Sequence, residues 1–136
     1  AQEALCAGET PVGCVIVRAG EEIAAARNRR EETRDPRAHA EMLAIGEAAR
    51  KTGSWRLCDC EMYVTLEPCP MCAGAISQAR LARLVFGAFD PERGCAGSVY
   101  RITEDPALGW FTPAHGGVLE EECGALLRRF FQRARG

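Results

Sequence analysis

A chain of 136 residues, 47% of them hydrophobic and 26% charged, has the size and balance of one ordinary globular domain with a core of its own. A net charge of −2 is unlike that of a general nucleic-acid binder, whose sequence-independent affinity comes from neutralising phosphates. No run approaches the roughly 18 apolar residues of a membrane span, and the opening AQEALCAGETP lacks the basic and apolar regions of an export signal, so a cytoplasmic protein is expected.

In chain order, VGCVIVR (Val12 to Arg18) is a short β-branched apolar run, followed by AGEE and then EIAAARN, which predicts a hairpin of two strands. After the polar, Arg-rich RNRREETRDP, Asp35 and Pro36 supply a turn. Ala38, Met42, Leu43, Ile45, Ala48 and Ala49 then carry helical spacing toward Gly53. EMYVTLE alternates Met62, Val64 and Leu66 with polar or aromatic neighbours, a strand closed by Pro68. Pro70 suits a first helical position, so a helix should begin beside Cys69. LARLVFGAF predicts a further strand ending near Asp90. An irregular stretch runs from there to about Gly117, and Leu119, Cys123, Leu126, Leu127, Phe130 and Phe131 mark a final amphipathic helix. Alternating strands and helices imply an α/β sandwich.

Eight cysteines in a chain without an export signal are expected to be reduced, and so to serve as ligands, nucleophiles or small core residues. Cys6, Cys14, Cys95 and Cys123 stand singly in apolar or Gly/Ala-rich surroundings, which predicts buried packing. Arginines cluster as Arg27, Arg29, Arg30, Arg34 and Arg37, and again as Arg128, Arg129, Arg133 and Arg135. Arginine suits bidentate phosphate contacts, and a solvated helix face gives the same pattern.

The chemistry concentrates in two stretches, DPRAHAEMLA with His39 and Glu41, and LEPCPMCAG with Cys69 and Cys72. Cysteines three apart on the first turn of a helix project to one side and can chelate one metal, and the helix N-terminus favours their thiolates. A redox pair would use the cysteines and leave His39 and Glu41 idle. A structural zinc drawing on Cys58 and Cys60 fails on reach: an extended Glu61–Glu67 separates Cys60 from Cys69 by roughly 30 Å. A catalytic zinc fits better, with His39, Cys69 and Cys72 as its three protein ligands and one position left for water. Two thiolates and a neutral imidazole cancel the formal charge of Zn²⁺, which brings bound water to a pKa of about 7. Glu41 beside that water is a candidate proton carrier. Residues two apart on a helix point about 200° from each other, so His39 must sit at the helix start, before regular geometry is established.

HAE (His39 to Glu41) and PCPMC (Pro68 to Cys72) match the H-x-E…P-C-x-x-C signature, and the chain resembles the zinc-dependent cytidine/deoxycytidylate deaminase superfamily. Within it the chain most resembles the bacterial tRNA-specific adenosine deaminases, through PVGCVIV, ARN, AHAEMLAI, WRL, YVTLEPCPMCAGAI, VFGAFD, GCAGS and GVLEEECGALLRRFF in order. The resemblance implies a three-layer α/β/α sandwich with a mixed sheet of about five strands, one Zn²⁺ per chain, a homodimer, and conversion of adenosine to inosine at the wobble position in a tRNA anticodon stem-loop. It implies zinc ligation by His39, Cys69 and Cys72, proton transfer by Glu41, contact of Asn28 with the flipped nucleoside, and a place for Asp90 where the loop carries neighbouring nucleotides. Taken without the family, Asn28 is a turn residue and Asp90 a loop start. One departure stands out: Gly109 and Trp110 occupy the place of an Asn-His pair, and His115 is five residues beyond it. An aromatic there could close a small pocket, which keeps a deaminase of a free nucleobase or nucleoside as the alternative. A zinc-stabilised interaction module would instead need a fourth protein ligand, and the sequence offers none within reach.

Overall fold

The structure, a computed structural model, describes residues 1–135, with side chains described through residue 134. A short helix, α1 (Gln2–Cys6), precedes a hairpin of β1 (Gly13–Arg18) and β2 (Glu21–Arg27). The hairpin turn is the two residues Ala19 and Gly20, at φ 51° and 78°. Positive φ at both central positions matches the twist of the flanking strands, and glycine meets the requirement at the second. A bulge between Ile16 and Val17 shifts the register, with Ile16 opposite Ala24 and Val17 opposite Glu22.

One turn of helix, α2 (Arg30–Thr33), leads to α3 (Ala40–Thr52), then β3 (Cys60–Leu66), α4 (Pro70–Gln78) and β4 (Arg83–Ala88). Two 3₁₀ turns (Ile102–Glu104 and Pro106–Leu108), a two-residue β5 (Ala114–His115) and a long α5 (Glu120–Arg135) complete the chain. The sheet runs β2-β1-β3-β4-β5. β1 is antiparallel to β2 and to β3, whereas β3, β4 and β5 are parallel. The parallel β3/β4 pair needs a crossover, and α4 is that crossover.

The buried face of the sheet carries Ile16, Met62, Val64, Leu84 and Phe86, packed with Ala40, Ala44 and Ala48 of α3 and Ile76 of α4. The small α3 stripe lets that helix settle close to the strands. It corrects the expected apolar face: Met42, Leu43 and Ile45 are only half-buried, and the stripe that faces inward also carries Glu41. On the opposite face α5 packs on β4, where a Cβ at Gly87 would lie 2.5 Å from Cys123 Sγ and 2.8 Å from Thr65 O. The absence of a side chain at Gly87 is what admits α5, and α1 contacts α5 on this side, giving three layers. A trough of about 1000 Å³ lies here, lined in part by Val15, Tyr63, Val85 and Leu126 and by none of the predicted metal donors.

Two further expectations change, one for the short segments and one for the single cysteines. α2 and the 3₁₀ turns were not anticipated, because each is too short to show a period, and the fifth strand that the resemblance implied is the two-residue β5. Cys14 and Cys95 are buried as predicted, but Cys6 is exposed, since α1 buries Ala4 and Leu5 instead, and Cys123 is half-buried. The first arginine cluster is largely spent on local ion pairs: Arg27 and Arg29 with Glu32, Arg30 with Glu31, and Arg37 with Asp35. In the second cluster Arg128 pairs with Glu121, Arg129 and Arg133 are exposed, and the Arg135 side chain lies outside the described residues. No helix among the described residues is long and apolar enough to cross a membrane.

Candidate metal centre

Two helix starts meet at one end of the sheet. His39 is the N-cap of α3, with φ −77° and ψ 150°, and Cys69 is the N-cap of α4, with φ −74° and ψ 175°. Pro36 and the Asp35 turn deliver an extended residue at 39. The helix begins only at Ala40, and the 200° conflict between His39 and Glu41 disappears. At the other helix start Pro70 occupies the first helical position, where its missing N–H costs nothing, and Cys72 sits on the same turn.

The donor geometry is that of a tetrahedral zinc site. His39 Nδ1 lies 3.6 Å from Cys69 Sγ and 3.5 Å from Cys72 Sγ, and all three donor atoms fall within 4.8 Å of one another. Bonds of roughly 2.05 Å to nitrogen and 2.3 Å to sulfur, opened to about 109°, put the two atoms about 3.5 Å apart. Among the described residues this is the one cluster of its kind, and neither Cys58 nor Cys60 joins it. The residues fit the ion, and three protein donors leave one tetrahedral position for a water.

The electrostatics agree. A hydrogen bond from the Cys72 thiol brings Cys69 down to about 4, against the cost of burial. The same bond pushes Cys72 up, and the hydrogen bond to Cys69 holds His39 above its ordinary value. The three donors thus share protons that a divalent cation displaces. The N-termini of α3 and α4 add partial positive charge on the thiolate side.

Glu41 is 4% exposed, on the first turn of α3 with its carboxyl beside the Cys72 thiol. Burial pushes it up from the ordinary carboxylate range. A carboxyl of raised pKa next to a metal-activated water is suited to take a proton and return it near neutral pH.

Asn28 and Asp90 are both near this end of the sheet, and neither shares a hydrogen bond with the donors. Asn28, 6% exposed, follows β2, and the amide of Arg29 donates to the carbonyl of Ala38 at 2.9 Å, which ties this segment to the approach to His39. Its Nδ2 reaches Thr10 O at a long 3.5 Å, and its buried Oδ1 has no protein partner. A buried amide oxygen without a partner is costly in isolation and is what a ligand contact would repair. Asp90 is half-buried, and its Oδ1 accepts from the amides of Glu92 and Arg93, a local turn.

Two buried acids escaped the sequence reading. Glu9, 1% exposed, accepts from the amides of Glu31 at 3.0 Å and Glu32 at 2.6 Å, so it caps α2 from a distance in sequence. Glu67, 2% exposed, binds the loop after β4; burial pushes its carboxyl up, and bonds from Ser98, Asp90 and Ala96 outweigh that and hold it below the usual range. An acid wedged between Leu66 and the Pro68-Cys69 ligand segment was the only available signal, and alternation alone reads it as solvent-facing.

Trp110 corrects the pocket-closing idea. Its Nε1 donates to Leu81 O at 3.2 Å and Thr112 Oγ1 at 3.1 Å, and the Arg80 guanidinium lies over its ring. Arg80 and Leu81 follow the C-terminus of α4, whereas Cys69 is at its N-terminus, about 13 Å of helix away. Trp110 anchors a loop at the opposite end of the crossover helix. His115 is an exposed residue of β5 paired with Val85.

Comparison with known proteins places this centre in a family. The cytidine and deoxycytidylate deaminase zinc-binding region matches residues 1–88. The tRNA-specific adenosine deaminase of Bacillus subtilis (strain 168) is 49% identical over 128 residues, 94% of this chain and 80% of the relative. A structure solved in work on A-to-I editing by tRNA:A34 deaminases at the wobble position of transfer RNA aligns with TM-score 0.89 and 40% identity, covering 93% of this chain and 91% of that one. A guanine deaminase from Nitrosomonas europaea aligns with TM-score 0.81 at 25% identity, covering 95% of this chain and 77% of that one. By its matching donors, its fold and these relatives, the chain belongs to the zinc-binding cytidine and deoxycytidylate deaminase family, on the branch that holds the tRNA-specific adenosine deaminases.

Proposed function

We propose that this chain is a single deaminase domain that hydrolyses adenosine to inosine at the wobble position of a tRNA anticodon stem-loop, as a homodimer in the cytoplasm. The observation that carries the reaction type is the His39, Cys69 and Cys72 triangle, sized for one tetrahedral zinc, with buried Glu41 beside it. The observation that favours tRNA is identity sustained over nearly the whole chain: 49% over 94% of it to a tRNA-specific adenosine deaminase and 40% over 93% to a tRNA:A34 deaminase structure, whereas guanine deaminases reach 25% over 95% of it or 41% over only 65%. The position of Trp110 removes the structural ground for a closed free-base pocket.

Zinc held by the three donors supplies a water acidic enough to act as a nucleophile at neutral pH. The protein's own work is proton transfer and positioning. Glu41 takes the proton released as the water adds to C6 of adenine and delivers it to ring N1; it then takes the second proton from the new C6 hydroxyl and gives it to the amino group, so that the C6 carbonyl forms as the C6–N bond breaks and ammonia leaves. Its burial keeps the proton from bulk solvent between these steps. Asn28 offers its free Oδ1 to the extruded nucleoside, and the loop opening at Asp90 holds the neighbouring nucleotides.

The test is incubation of the zinc-loaded protein with an anticodon stem-loop and, separately, with free guanine, cytosine and adenosine. The expected result is inosine in the stem-loop and no ammonia from the small substrates. Turnover confined to a free base would replace the tRNA reading, and sedimentation at micromolar concentration checks the dimer.

A further inference from the structure

Glu67 belongs to no part of the donor set, yet its carboxylate is the hub of the loop that follows β4. Its Oε1 accepts from the Asp90 amide at 3.0 Å and from the Ser98 hydroxyl, and its Oε2 accepts from the amides of Ala96 at 3.0 Å and Ser98 at 2.9 Å. Between these points the Cys95 amide donates to Pro68 O at 2.8 Å. Gly94 lies so close to the carboxylate that a Cβ there would collide with Glu67. The loop from Asp90 to Ser98 therefore hangs on residues 67 and 68, the two that precede the zinc ligand Cys69.

Only a carboxylate completes this arrangement. Three backbone amides and a hydroxyl converge on two oxygens, and an ionised carboxylate is the side chain that accepts on both. Glutamine must turn its amino group toward one set of donors. At Oε2 two amides point inward and neither can reverse. At Oε1 the Ser98 hydroxyl can rotate and accept, which leaves only the Asp90 amide opposed. Glutamine thus unties the loop first at Asp90 and keeps its Ala96 and Ser98 end.

We infer that Glu67 is a positioning residue for the deamination: it locks the Asp90–Ser98 loop to the segment that bears Cys69, so that the substrate-facing loop and the metal donors move as one body. This rests on the reading above that the Asp90 loop meets the RNA. The consequence falls on substrate binding rather than on the chemical step, because the donors and Glu41 do not depend on the loop for their own contacts.

The experiment compares zinc-loaded wild type, Glu67→Gln and Ser98→Ala by zinc content, amide hydrogen exchange, and steady-state kinetics on the anticodon stem-loop. For Glu67→Gln the expected result is one zinc per chain, exchange at the Asp90 amide about tenfold faster with the α3 interior unchanged, and KM raised about tenfold with kcat within about threefold. Ser98→Ala removes one exposed hydroxyl donor and should move the same quantities less, in a chain whose folding is not at issue. Unchanged exchange at Asp90, a loosened loop with unchanged KM, or a loss of kcat that follows loss of zinc would each overturn the inference. If wild type itself leaves the stem-loop unmodified, the tRNA reading fails, and the exchange data alone decide whether Glu67 ties the loop.

Discussion

His39 and Glu41 show how two residues can serve one point without sharing a helical face. The cap conformation at His39 turns its ring toward Cys69 and Cys72, while Glu41, one residue into α3, reaches the same centre from the first turn. Their roles separate under mutation. Glu41→Ala should keep about one zinc per chain and lose turnover by a factor on the order of 10²–10⁴, the usual range for a lost general acid–base. Cys72→Ala should lose the metal, read by elemental analysis, because two donors do not close a zinc site. The thiols give a second handle. Cys60 is pushed up to about 11, chiefly by burial, so at pH 8 only about one part in a thousand is thiolate. Alkylation of the zinc form at pH 8 should mark the exposed Cys6 and Cys58, and a chelator should add Cys69, whose metal-free thiol ionises near 4. Early modification of Cys60, or no change on chelation, would contradict these assignments. The donor residues were legible in the sequence because ligand spacing is local to each helix start; Glu9 and Glu67 were not, because their amide partners lie 22 to 31 positions away.

At the scale of elements, the long segments follow their periodicity and the short ones follow their partners. β1, β3, α3 and α4 could be anticipated from apolar spacing, Pro70 and the turn at Asp35-Pro36. The four-residue α2 has no such basis, since a single turn cannot sustain itself in water. Glu9 supplies what the sequence of α2 lacks, two charge-assisted bonds to its first amides from a buried carboxylate. Glu9→Ala should therefore lower stability by about 2–3 kcal/mol in urea unfolding and speed amide exchange at Glu31 and Glu32. An exchange pattern unaltered at those two amides would show that α2 holds by other means. The segment matters because it joins Asn28 to His39, so its order is shared by the proposed nucleoside contact and the candidate metal donor.

At the scale of the molecule, the topology does the gathering. β1 runs antiparallel to β3 and β3 parallel to β4, so the change of direction falls beside β3, and the helices that follow β2 and β3 both start at the same end. This is the rim on which α/β sheets place ligands, outside the carboxyl ends of parallel strands. Two donor stretches 30 positions apart are brought to 3.6 Å by that arrangement, which no local pattern in the sequence reveals. Because the metal then bridges α3 and α4, its removal should cost global stability: at a free zinc concentration about 1,000 times Kd the bound ion contributes about 4 kcal/mol, and chelation should lower Tm accordingly. X-ray absorption at the zinc edge of the loaded protein tests the arrangement most directly. A first shell of two sulfurs at about 2.3 Å and two light atoms at about 2.0–2.1 Å is expected, one of the light atoms an imidazole nitrogen. A shell of three or four sulfurs, or one without sulfur, would contradict it.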